Sequence, residues 1–128
     1  MKRLNCTLLV EDDSNTAFLN RMLLRDLKIS NDIQIASNGE EAMKLLKNGT
    51  LPELILLDLN MPVMDGFEFL QSFRNTFNNL KKKTIIVLLA SYYMKRDFEN
   101  AREFQVSEIV QKPLTEDKIK SILKKFFE

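Results

Sequence analysis

The sequence predicts an α/β fold, a doubly wound parallel sheet covered by helices, and three observations carry that prediction. Short apolar runs at residues 6–10, 33–36, 54–57, 85–90 and 109–110 alternate with longer segments of helical spacing. The runs at 54–57 and 85–89 are apolar on both sides, as central strands must be when helices cover both faces of a parallel sheet. The chain has 128 residues, 45% of them hydrophobic and 29% charged, enough for one core and too few for a second globular unit. Residues 1–128 are therefore expected to form one domain of five strand–helix pairs joined by right-handed crossovers.

The first apolar run ends in Glu11-Asp12-Asp13. In the segment after it, Leu19, Leu23 and Leu27 line an apolar side, and Phe18, Met22 and Arg25 share another. Behind the second run Ala42, Leu45 and Leu46 form a stripe, and Gly49 stands where that helix should stop. After the third, Phe67, Leu70, Phe73, Arg74 and Phe77 recur at steps of three and four. The fifth strand is the weakest, because Ile109-Val110 is short and sits between Glu108 and Gln111. The last helix is the clearest. Ile119, Ile122, Leu123, Phe126 and Phe127 mark its apolar face, Thr115 can cap it, and Glu116 and Asp117 suit its positive end. The Lys81-Lys82-Lys83 run and Lys118, Lys120, Lys124 and Lys125 read as solvated faces.

Composition narrows the chemistry. With no His and one Cys, the chain excludes His-based catalysis, an intrachain disulfide and any multi-Cys or Cys/His zinc site. Cys6 lies in a strand-like run and reads as a small buried hydrophobe. A net charge of +1 leaves no electrostatic footprint for direct nucleic-acid or membrane binding. The longest strongly apolar run, residues 85–90, is too short to span a bilayer, and no secretory signal stands at the start. The expected location is the cytoplasm. Whatever chemistry the chain performs must use carboxylates, amines and hydroxyls.

In doubly wound sheets, sites form at the carboxyl ends of the strands where the winding switches direction. Those ends carry Glu11-Asp12-Asp13, Asp58, Ala90-Ser91 and Lys112-Pro113. If the strand order is 2-1-3-4-5, strands one and three are neighbours, and Asp12, Asp13 and Asp58 share a crevice. Their mutual repulsion must be offset by raised pKa values, by the Lys112 ammonium, or by a hard divalent cation.

Three blocks carry a family resemblance: Leu8-Leu9-Val10-Glu11-Asp12-Asp13, Leu56-Leu57-Asp58-Leu59-Asn60-Met61-Pro62-Val63-Met64-Asp65-Gly66, and Lys112-Pro113-Leu114. Together they resemble a bacterial two-component response-regulator receiver domain (CheY-like), and the resemblance covers the whole chain. It implies a flavodoxin-like (βα)5 fold with strand order 2-1-3-4-5. Asp58 would then be the phospho-acceptor, taking a phosphoryl group from a phosphohistidine on a sensor histidine kinase or histidine phosphotransfer protein. Asp13, Asp58 and the backbone carbonyl of Asn60 would bind Mg2+, with Asp12 acting mostly through coordinated water. Lys112 would contact the phosphoryl group, Pro113 would favour a cis Lys112–Pro113 bond, and Gly66 would allow close backbone approach. The donor histidine must come from another protein, and the output must pass to a downstream protein target.

Two positions depart from the family pattern. Receivers carry Thr or Ser at the end of strand four, where its hydroxyl contacts the phosphoryl group; here Ala90 holds that place and Ser91 follows it. The switch-aromatic position, three residues before Lys112, holds Ile109 rather than Tyr or Phe. Tyr92 and Tyr93 are the nearest aromatic residues in the following loop. These departures keep a second reading open, a receiver-like interaction module that is not controlled by phosphorylation. A third reading, an Asp-nucleophile phosphatase using Asp58-Leu59-Asn60, is opposed by Asn60 where such enzymes place a second Asp. An FMN carrier is opposed by Glu11-Asp12-Asp13, which would repel a phosphate.

Overall fold

The computed structural model describes residues 3–49, 51–59, 61, 65–77, 84–91 and 95–128. Asn60, Pro62, Tyr92, Tyr93 and the run Lys81, Lys82 and Lys83 lie outside the described residues. Five strands and five helices alternate: β1 Leu4–Val10, α1 Ser14–Asp26, β2 Ser30–Ala36, α2 Gly39–Asn48, β3 Leu54–Asp58, α3 Gly66–Phe77, β4 Ile85–Ala90, α4 Lys95–Glu103, β5 Glu108–Gln111 and α5 Glu116–Phe127. The sheet is parallel in the order β2-β1-β3-β4-β5, the flavodoxin-like arrangement.

The period-two alternation of the strands divides the core into two layers. Ile55 and Leu57 of β3, with Val10, Ile86 and Leu88, face Ala42 and Leu46 of α2, Phe69, Leu70 and Phe73 of α3, and Ala101 of α4. Leu54 and Leu56, with Leu9, Val87 and Leu89, face Leu24 of α1 and Ile119, Ile122 and Leu123 of α5. The interior of β4 and all of β3 are buried from end to end. β3 is the centre of the sheet, and Asp58 ends it as a buried residue.

Helix starts follow local chemistry. Asp13, Asn38 and Thr115 cap α1, α2 and α5 by accepting from the N–H groups of Thr16, Glu41 and Lys118. At α3, Asp65 accepts from the Glu68 N–H while Glu68 accepts from the Asp65 N–H, a reciprocal capping box. Gly49 follows α2 with extended backbone, φ −143°, so the stop does not depend on a left-handed residue.

One helix face differs from expectation. The buried residues of α1 are Ala17, Asn20 and Leu24, whereas Leu19 is 63% exposed, beside Phe18 at 62%. Leu19 cannot share the buried face because Ala17, Asn20 and Leu24 follow the 3-4 helical step and Leu19 lies off it. Phe18, Leu19 and Met22 thus form an exposed apolar strip.

Candidate functional site

The carboxyl ends of β1, β3 and β5 converge because β1 pairs with β3, and β4 bridges β3 to β5. Glu11 continues the β1 ladder, donating its N–H to the Ala36 carbonyl at 3.0 Å. Asp58 ends β3, and the next residue, Leu59, donates to the Leu89 carbonyl at 2.9 Å. Lys112 follows β5 and donates to the Ala90 carbonyl at 2.8 Å; its peptide bond to Pro113 is cis. Main-chain bonds therefore place the strand ends that carry Glu11, Asp58 and Lys112 before any side chain acts.

Glu11, Asp12 and Asp58 each bring a carboxylate oxygen within 4.8 Å of the others, the cluster found among the described residues. Glu11 and Asp58 are buried and Asp12 is exposed. The Lys112 ammonium reaches into the cluster, 3.0 Å from Asp58 Oδ1 and 3.2 Å from Glu11 Oε1. Burial, reinforced by a hydrogen bond with Asp58, pushes the Glu11 carboxyl up to about 7. Burial works against the Lys112 ammonium, but its hydrogen bond to Asp58 and the charges of Asp58 and Glu11 outweigh that and raise it. The ammonium stays charged and faces three carboxyl groups.

The carboxylate set corrects the sequence-based expectation at one residue. Asp13, expected beside Asp58, is exposed and its carboxylate is used as the cap of α1, accepting from both the N–H and the hydroxyl of Thr16. Those two hydrogen bonds lower its pKa. Glu11 takes the place in the cluster instead. The signal was available: an Asp directly before the first helical residue is an N-cap in waiting, which leaves the preceding pair, Glu11 and Asp12, for the site.

Gly66 begins α3 against the Asp58 loop, donating to the Leu59 carbonyl at 3.0 Å. A Cβ there would stand 3.1 Å from Leu59 Cα and 3.2 Å from the Asp58 carbonyl oxygen, so the residue's smallness sets how closely α3 approaches. Ala90 is fully buried at the end of β4, and Ser91 next to it is exposed, its carbonyl accepting from Gln111 Nε2 at 3.2 Å. Ile109 is half-buried and packs on the α2–α4 side of the core.

The response regulator receiver domain model matches residues 7–124. The chain belongs to the receiver-domain family of two-component systems. A probable chemotaxis protein CheY from Rhizobium etli is 30% identical over 93% of this chain and 90% of its own length. The sensor histidine kinase CheAY of Helicobacter pylori is 31% identical over 92% of this chain, but the chain spans only 14% of that protein. Among solved structures, a two-component response regulator from Cytophaga hutchinsonii superposes with a TM-score of 0.85 at 31% identity, covering 97% of both chains. Receiver domains are regulatory signalling domains that typically bind Mg2+ at an acidic pocket, and this receiver has such a pocket. Among the described residues no helix is long and apolar enough to cross a membrane.

Proposed function

We propose that this receiver accepts a phosphoryl group on Asp58 from a phosphohistidine of a sensor histidine kinase or histidine phosphotransfer protein, and that the change alters binding of a downstream protein. One observation carries the reading: Asp58 ends the central strand, buried inside the carboxylate cluster, with the Lys112 ammonium 3.0 Å from its Oδ1. In the transfer an Asp58 carboxylate oxygen forms a bond to phosphorus as the phosphorus–nitrogen bond breaks. The departing electron pair stays on the donor imidazole. Such a transfer depends mainly on positioning and charge stabilisation. The Lys112 ammonium, already on Asp58 Oδ1, is placed to meet the negative phosphoryl oxygens.

The donor set fits a hard cation. Three carboxylates within 4.8 Å of one another supply the oxygen donors that Mg2+ prefers, more than the one or two it usually takes directly beside waters and phosphate oxygens. Asp12, Asp58 and Glu11 would hold it, with Glu11 giving up its proton. Bound there, it would supply neutralising charge for the incoming phosphoryl oxygens. The Asn60 carbonyl, proposed as a further ligand, lies outside the described residues.

An exposed apolar surface lies beside the pocket. A groove of about 430 Å³ is lined by Thr16, Leu19, Asn20, Leu23, Lys112 and Leu114, among others, and the exposed Phe18, Leu19 and Met22 extend it along α1. A phosphohistidine donor presenting an apolar helix would seat there and reach Asp58. Ala90 and Ile109 favour one second reading, an interaction module insensitive to phosphate. Mg2+ with acetyl phosphate, followed by intact-mass measurement, separates the two. One added phosphoryl group, absent in Asp58→Asn, is expected; no gain under conditions that label a control receiver would refute the acceptor role.

A further inference from the structure

We propose that Lys118 is a positioning residue for the Lys112 ammonium, a proposal that rests on the acceptor reading of Asp58. Its Nζ donates to the Gln111 carbonyl at 2.7 Å and to the Pro113 carbonyl at 2.8 Å. These are the main-chain oxygens on either side of Lys112. With the Lys112 N–H bound to the Ala90 carbonyl at 2.8 Å, the backbone of residues 111–113 is held at three points. Lys112 extends from that fixed base to Asp58 and Glu11.

The location of Lys118 supports a dedicated task. It lies in the first turn of α5, two residues after the start at Glu116, and its own N–H is bound by the Thr115 cap. The helix dipole disfavours a cation there and favours acids such as Glu116 and Asp117. A lysine in that turn is accounted for by the two carbonyls it satisfies. An ammonium that must meet a phosphoryl oxygen gains from a base that cannot drift, since small misplacements of a reacting group cost rate steeply. The two bonds of the Lys118 ammonium are to the main chain that flanks Lys112, so its effect passes through Lys112.

The test compares the full chain with Lys118→Met and Lys118→Arg. In metal-free protein, acetic anhydride footprinting read by peptide mass spectrometry reports how free each lysine is. Lys112 should acylate about tenfold faster in Lys118→Met, the scale of one charged hydrogen bond, and within about twofold of wild type in Lys118→Arg. The other lysines should not change. With Mg2+ saturating, phosphoryl gain from acetyl phosphate should slow about tenfold in Lys118→Met and recover in Lys118→Arg. The Mg2+ dissociation constant should stay level or fall, because a loosened ammonium competes less for Asp58. Unchanged Lys112 reactivity in Lys118→Met would overturn the proposal. So would a general loosening in which Tm falls, every lysine reacts faster and Lys118→Arg fails to rescue. If wild type takes no phosphoryl group, the acceptor reading fails, and Lys112 reactivity still decides the role of Lys118.

Discussion

At the carboxyl edge of the sheet, the ends of β1 and β3 bring Glu11, Asp12 and Asp58 within 4.8 Å of one another, and Lys112 after β5 pairs with Glu11 and Asp58. One strand along, β4 ends in the fully buried Ala90, and β5 carries the half-buried Ile109. The first region is costly to build. It gathers three carboxylates against one ammonium, and burial raises the Glu11 carboxyl to about 7. The second is ordinary packing with no polar side chain at either position. Accepting a phosphoryl group needs the first region, whereas relaying it through a hydroxyl and an aromatic ring would need the second. On the proposed acceptor reading the two tasks are separable: this receiver has the charged corner, with the apolar Ala90 and Ile109 at the relay positions.

The largest expected effect is in the charged region. Asp58→Asn removes the nucleophilic carboxylate and should abolish phosphoryl gain entirely, as read by intact mass. Next comes the division of labour between adjacent aspartates. Asp12→Ala should weaken Mg2+ binding by about tenfold or more in titration calorimetry. Asp13→Ala should leave that affinity within about twofold while lowering Tm by a few degrees through the lost α1 cap. Equal losses of affinity in the two variants would restore Asp13 to the site and break the account of the corner.

A pH dependence follows from Glu11. Its ordinary value is 4.5 and its folded value about 7, so between them the folded state holds more protons than the unfolded one. Stability of the metal-free protein should therefore fall as pH rises through that window. Thermal unfolding from about pH 5 to pH 8 should show the decline, and Glu11→Gln should flatten it. Mg2+ displaces the same proton, so its affinity should rise with pH over the same range.

The smallest effect on chemistry belongs to the packed region. Ala90→Thr should change the phosphorylation rate by no more than about tenfold, because one hydroxyl contributes only a modest hydrogen bond. Overpacking at this fully buried site should cost about 1–3 kcal/mol of stability in denaturant unfolding. A large change in rate would show that the two regions are not separable.

Much of this was legible in the chain. Strand-like runs apolar on both sides marked the sheet centre, and the residues following each run contained the whole site. Two features were not. The exposure of Leu19 was hidden because Ala17, Asn20 and Leu24 carry the buried face of α1, and two of those three are weak hydrophobic signals. The choice of Glu11 over Asp13 turned on one residue of register, since three consecutive acids look alike until the helix start claims one as its cap. The contribution of α4 was faint for a related reason: Ala101 is its buried residue. Pairing across the sheet could only be supposed from sequence, and it is the pairing that joins Asp58 to Lys112 across 54 positions of chain.

The most direct test of the central claim is to locate the phosphoryl group chemically. After incubation with Mg2+ and acetyl phosphate, borohydride converts an aspartyl phosphate to homoserine, which peptide mass spectrometry assigns to a residue. The account predicts homoserine at position 58 alone, dependent on Mg2+ and formed although Ala90 and Ile109 fill the relay positions. Conversion at Asp12 or Asp13, or none where a control receiver is converted, would contradict it.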